Sequence, residues 1–101
     1  MKPKEIVEQW VKKRNSFYFF LPDGPYGRPF DNQYLIDNIK DTEHGFDIIF
    51  TDSIVLHFAG CPAVVDEGCN LLISKFDQCI FDIKGYKSIA YNYGEVVLSG
   101  F

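Results

Sequence analysis

The chain has 101 residues, of which 47% are apolar and 17% aromatic. This is enough core material for one domain spanning residues 1–101, and it argues against intrinsic disorder. The net charge of −4 is uneven, because residues 1–28 sum to +3 and residues 29–101 to −7. The acidic part would repel phosphate backbones, so nucleic-acid binding is not expected.

The first predicted element is an amphipathic helix over residues 3–15. Pro3 suits a first helical turn, and four apolar residues share one face, namely Ile6, Val7, Trp10 and Val11. Acidic residues near the start and basic residues near the end complement the helix dipole. We expect Trp10 to anchor this helix in the core.

A loop rich in Pro and Gly follows over residues 22–32. Its three prolines fix φ and remove amide donors, while its glycines permit positive φ. A regular helix or a central strand cannot pass through such a segment, so we predict a stiff loop between two structured regions.

The same loop supplies the predicted binding residues Tyr26, Arg28 and Phe30, together with Tyr34 just after it. Aromatic and Arg side chains on a rigid loop are typical of recognition surfaces, and Arg28 would contact an anion or carboxylate. The alternative is structural, with Tyr26 and Phe30 folded back to cover one end of the sheet.

Residues 17–101 otherwise read as strands and turns. Apolar and polar residues alternate in most runs, and turn signals recur every 8–12 residues. The predicted fold is α+β, with the helix packed on an antiparallel meander of about six or seven strands, flat or rolled into a partial barrel. Residues 71–76 and 78–84 are either two strands or one bent strand. The predicted interior comprises Trp10, Phe46, Ile48, Phe50, Ile54, Leu56, Phe58, Cys79, Phe81, Ile83, Ile89, Val96 and Leu98.

The cysteines and histidines lack the spacing of a zinc site. His57, Cys61, Cys69 and Cys79 are separated by gaps of four, eight and ten residues, whereas structural zinc ligands come in close pairs. Cys79 also shares a strand face with apolar residues, which favours core packing. We expect no metal and no cofactor.

Catalytic and cation-binding arrangements are equally poorly supported. Cys61 could be a nucleophile with His57 or His44 as its base, but nothing in the pattern selects an orienting acid or activates the thiol. The acids Asp66, Glu67, Asp77 and Asp82 lack the spacing of a calcium loop. Enzymatic activity is therefore not expected.

The resulting functional hypothesis is a small soluble non-catalytic module that binds a protein partner, or itself as a homo-oligomer, through the sheet and the aromatic loop. Ile49, Val55, Ile80 and Val97 lie opposite the predicted interior, so one face would be covered by a second subunit. The alternative is a small-ligand-binding barrel or minor enzyme, with Tyr34, His57, Tyr91 or Tyr93 lining a cavity between helix and sheet.

The sequence also bears on location. The first fifteen residues have no apolar signal region, and no apolar run approaches the roughly 20 residues of a membrane span. Three cysteines are an odd number, which favours free thiols. We therefore expect a cytoplasmic protein without membrane contact.

Overall fold

The computed structural model describes residues 2–22, 34–51 and 53–101. Within them, one helix precedes nine strands, so the α+β class is confirmed. The helix is α1 (Pro3–Lys12), and the strands are β1 (Phe17–Phe20), β2 (Ile36–Asp41), β3 (Gly45–Phe50), β4 (Ile54–Ala59), β5 (Ala63–Glu67), β6 (Asn70–Ser74), β7 (Gln78–Ile83), β8 (Ile89–Tyr91) and β9 (Glu95–Gly100).

The strands form two antiparallel sheets. One has four strands in the order β1-β9-β6-β5, and the other has five in the order β2-β3-β4-β7-β8. Among the described residues, the two sheets stay open and do not close into a barrel. Strands β6 and β7 belong to different sheets, so residues 71–76 and 78–84 do not form one bent strand.

The strand count exceeds the expected six or seven partly because residues 63–67 form a separate strand, β5. Strand β5 pairs with β6 across a tight turn at Gly68, which has a φ of +79°. Asp66 Oδ1 accepts a hydrogen bond from the Gly68 amide at 2.9 Å. Glycine readily adopts this conformation, and the aspartate closes the turn.

The core lies between the two sheets. The predicted interior is confirmed with two small differences, since Ile83 and Ile89 are only partly buried. No polar or charged residue among those described is buried. Alternation along the strands thus separates an apolar interior from two outer faces.

Helix α1 ends at Lys12 rather than residue 15, and Trp10 anchors it as expected. The Trp10 side chain is 1% exposed, and its Nε1 donates to the Gly68 carbonyl at 2.8 Å. Arg14 stacks over the Trp10 ring at 4.4 Å and also donates to Gly68 O. A Cβ at Gly100 would lie 2.8 Å from Trp10 Cη2, so glycine permits this close packing. In the described part of the chain, no helix is both long and apolar enough to cross a membrane.

Strand β2 departs from the predicted face assignment. The pattern predicts that Leu35, Asp37 and Ile39 share a face, but the register with β3 shifts between Ile36 and Asn38. This bulge lets Ile36 and Ile39 both pack toward the core, while Leu35 is 54% exposed. An extra residue in one strand reverses the alternation on either side of it.

Candidate functional site

The predicted loop residues divide between two situations. Tyr26, Arg28 and Phe30 lie outside the described residues, so their role in binding stays a prediction. Tyr34 is 6% exposed and forms a backbone bridge with Phe17, with N–O distances of 2.8 and 2.9 Å. Its ring packs against Phe19 at 5.4 Å. Tyr34 therefore fixes the exit of the loop to strand β1 from within the core.

The outer face of the four-stranded sheet carries an uninterrupted line of apolar side chains. Phe20 is opposite Val97, Val97 is opposite Leu72, and Leu72 is opposite Val65. Their chain neighbours Phe19, Leu98 and Leu71 are buried, so this line points away from the core. We call Phe20, Val97, Leu72 and Val65 the apolar row. It crosses all four strands, and Val65 at its end is 49% exposed.

The positions on one side of the apolar row are polar. Tyr18, Ser99, Asn70 and Glu67 follow one another across the strands. Ser99 Oγ donates to Asn70 Oδ1 at 2.6 Å, so these two groups satisfy each other. The Tyr18 ring meets the ring of Phe101 edge-on at 5.7 Å, and Phe101 is 62% exposed. Aromatic surface therefore extends beyond one end of the row.

On the other side, Glu95, Ser74 and Ala63 face outward. Each side of the apolar row thus carries one exposed carboxylate, Glu67 or Glu95. No outward position of these four described strands holds Lys, Arg or His, and Lys75 lies just beyond the end of β6. The face combines an apolar centre with a weakly acidic border.

The outer face of the five-stranded sheet is organised differently, around His57. Its Nδ1 lies 2.9 Å from Asp47 Oδ1 on β3, and its Nε2 lies 3.7 Å from Asp82 Oδ2 on β7. Ser88 Oγ donates to Asp82 Oδ1 at 3.2 Å. We call these four side chains the His57 cluster. Both ring nitrogens face a carboxylate, but only the contact with Asp47 is within hydrogen-bond distance.

The His57 cluster borders a groove of about 630 Å³, which is also lined by Thr42, His44, Gln78 and Ile80. This volume falls within the range of small-molecule sites. The serine bonds to Asp82 rather than to the imidazole, so the arrangement is not the serine–histidine–acid geometry of a hydrolase. Chemically, the cluster can orient an imidazole and bind a polar ligand.

A smaller cavity of about 360 Å³ lies where the start of α1 meets the sheet, beside Phe46 and Cys61. Lys4 Nζ lies 3.2 Å from Asp41 Oδ2, and this hydrogen bond raises the pKa of the Lys4 ammonium. The predicted polar groups do not converge here. Tyr34 lies in the core, His57 is on the outer face, and the rings of Tyr91 and Tyr93 lie against each other at 6.2 Å.

The structure does not assemble the four residues tested as zinc ligands. Cys79 points into the core, where burial raises the pKa of its thiol to about 12. His57 pairs with Ile80 and lies on the outer face of the same sheet. Cys61 and Cys69 are exposed. In residues 2–22, 34–51 and 53–101 no group of three or more potential ligands is placed to hold a metal.

Sequence reasoning missed the His57 cluster, although a signal was present. Strands β3 and β4 are consecutive along the chain, and their antiparallel pairing places Asp47 opposite His57. None of the roles considered for His57 from the sequence, as a zinc ligand, a base or a cavity residue, involves this cross-strand partner. The apolar row could not be found in the same way, because it depends on the order of β1, β9, β6 and β5 in the sheet.

Comparison of the chain with family models, curated proteins and solved structures finds no match. The functional argument therefore rests on the geometry of the two outer faces.

Proposed function

We propose that this protein is a non-catalytic interaction module that binds a partner protein through the outer face of the four-stranded sheet and the adjoining loop of residues 22–32. The observation that carries the proposal is the apolar row, which runs across every strand of that sheet. Continuous apolar surface on an outer face is typical of protein-binding sites.

The described residues on either side of the loop support the same surface. Phe20 lies at the end of β1, two residues before the loop begins, and Tyr34 fixes the other end of the loop to β1. We propose that Tyr26, Arg28 and Phe30, which belong to this loop, contribute contacts to the partner beside the apolar row. Three free cysteines support a reducing compartment, which we propose is the cytoplasm.

Site-specific photo-crosslinking in cells tests this proposal. A photoreactive phenylalanine at Val65 reports on the apolar row, and the same residue at Tyr86, which is 66% exposed, is the matched control. We expect one discrete crosslinked species from position 65 that is absent from position 86 and is lost when Leu72→Asp is added. Equal products from both positions, or none from position 65, would refute the proposal.

A second copy of this chain is the other possible occupant. The mass of the crosslinked product distinguishes the two, because a homodimer has twice the mass of the chain. Sedimentation velocity at micromolar concentration gives an independent measure of self-association.

The groove beside the His57 cluster supports a second candidate function, the binding of a small polar ligand. The specific observation is that Asp47, His57 and Asp82 converge at one groove from three strands. Ligand-observed NMR with a library of small polar compounds tests it, with His57→Ala as the comparison. Hits that bind the variant equally well would remove this candidate.

A further inference from the structure

We infer that the partner seated on the apolar row presents an apolar strip bordered by Lys or Arg side chains, and that it is a protein other than a second copy of this chain. This inference rests on the proposed function and names the chemistry of its partner. The features that support it are the charges bordering the row.

Two exposed carboxylates border the apolar row on opposite sides. Glu67 lies at the β5 end of one flanking line, and Glu95 lies on β9 in the other. Neither has an ion-pair partner within 4.0 Å in the described part of the chain. Their charges are therefore available to a bound surface. Rim charges of this kind steer association and select partners more than they add affinity.

The remaining polar groups on the face are neutral and cannot reverse this preference. Ser99 and Asn70 bond to each other, and Ser74 and the Tyr18 hydroxyl carry no charge. A cationic side chain on the partner would therefore meet carboxylates on both sides of the apolar row. An acidic partner would meet like charge on both sides.

The same charges argue against a second copy. In a two-fold dimer each copy presents the same patch. The outward positions of these described strands hold carboxylates and no cation, so two such faces would bring only negative charge together. The sequence from 29 to 101, which contains most of the sheet, has a net charge of −7 and adds to the repulsion.

Two designed amphipathic helical peptides with the same apolar face provide the probe. One carries Lys at every position flanking the apolar face, and the other carries Glu. We expect the Lys peptide to bind the wild-type chain at least about tenfold more tightly than the Glu peptide in low salt, with the difference shrinking as salt is added. Isothermal titration calorimetry measures both affinities.

Paired charge reversals separate a local effect from net charge. Glu67→Lys with Glu95→Lys should weaken binding of the Lys peptide by about tenfold, since two attractions become repulsions. Glu5→Lys with Glu43→Lys changes the net charge equally at exposed sites on the helix and in the β2–β3 turn. This control should keep its affinity within about twofold. An equal loss in both double variants would overturn the inference, because binding would then follow overall charge.

Apolar substitutions distinguish failure of this inference from failure of the proposed function. Val65→Asp should abolish peptide binding, and Leu72→Asp should do the same provided that it remains folded. Suppose that these variants lose binding while the Glu67 and Glu95 reversals have no effect. The apolar row would then remain the binding surface, but the inference that Lys or Arg side chains border the partner's apolar strip would be refuted. Failure of the wild-type chain to bind the Lys peptide would also refute the inference of a Lys- or Arg-bordered partner, whatever the crosslinking result.

Sedimentation velocity supplies the remaining outcome. We expect the wild-type chain to sediment as a monomer at micromolar concentration. A dimer that dissociates in the Val65→Asp variant would overturn the inference and assign the face to a second copy.

Discussion

The two outer faces of the molecule carry similar apolar residues in different arrangements. On the five-stranded sheet, the outward line from Ile49 to Val55 continues across the strands to Asp82. On the neighbouring line, Ile80 lies opposite His57. On the four-stranded sheet, the apolar row passes from β1 to β5 without a charged residue. One face is therefore divided by ionisable groups, and the other has a continuous apolar centre.

The difference shows how side-chain pairing separates a self-contained surface from one suited to a partner. The ionisable groups of the His57 cluster already contact one another, so covering them requires desolvation with little new bonding in return. Burial of the apolar row requires no desolvation of charged groups. Each Å² of apolar surface removed from water contributes about 25 cal/mol of favourable free energy. The two faces should therefore respond differently to substitution.

The largest effect on stability should come from the inner side of the four-stranded sheet. Leu98 is fully buried on β9, and Leu98→Ala should lower the free energy of unfolding by about 2–5 kcal/mol because it leaves a cavity. Urea unfolding measures the change. Its neighbour Val97 is the matched control, and Val97→Ala on the outer face should cost less than about 1 kcal/mol. Equal losses at the two positions would contradict the assignment of inner and outer faces.

A smaller effect is expected at the His57 cluster. Asp47 has a side chain 15% exposed and lies 2.9 Å from the imidazole, so Asp47→Ala should cost about 1–2 kcal/mol. Asp82 is 48% exposed and 3.7 Å away, so Asp82→Ala should cost less than about 0.5 kcal/mol. A double-mutant cycle with His57→Ala measures each coupling energy. A larger coupling for Asp82 than for Asp47 would show that the pairing has been misassigned.

Cys79 should make stability depend on alkaline pH. Burial raises the pKa of its thiol from 9.0 to about 12 in the folded chain, so the unfolded chain ionises first. The stabilising contribution is complete below pH 9 and is lost as the pH rises toward 12. Between pH 9 and pH 10 the expected loss is about 1 kcal/mol. Urea unfolding of the wild-type chain and the Cys79→Ala variant isolates this slope, and identical slopes would exclude it.

The burial of Cys79 also predicts how many thiols react in the native protein. Cys61 and Cys69 are exposed and should react with a thiol-specific disulfide reagent at ordinary rates, whereas Cys79 should react only after unfolding. Absorbance during labelling, with and without guanidinium chloride, checks this expectation. Rapid reaction of all three thiols in the native state would show that the core around Cys79 opens readily.

Much of the fold follows from local sequence patterns. Alternation in β3 and β4 identifies the inner residues, and the spacing of Val7 and Trp10 identifies the buried face of the helix. These assignments depend only on the period of the backbone, so a single sequence contains them. The sequence pattern did not predict the bulge at Ile36 or the strand at Ala63–Glu67, because each depends on a pairing partner elsewhere in the chain.

The candidate sites were less predictable for the same reason. Asp47 and His57 are joined by one hairpin, so their contact could be inferred once the turn was placed. The apolar row joins Phe20 to Val97, which are far apart in the chain and meet only because β9 lies between β1 and β6. Val97 was expected to face outward, but nothing local indicates which side chains it meets.

The central position of β9 also affects how the molecule is made. Strands β2, β3 and β4 are consecutive along the chain and adjacent in their sheet, so they can pair soon after they leave the ribosome. Strand β1 is synthesised before them, but its partner strand is β9. Strand β9 is made last of the nine described strands and pairs with β1 on one side and β6 on the other. During that delay the backbone of β1 lacks its partner strand. We therefore expect completion of the four-stranded sheet to be a late step of folding, and the chain to be most prone to aggregation before it.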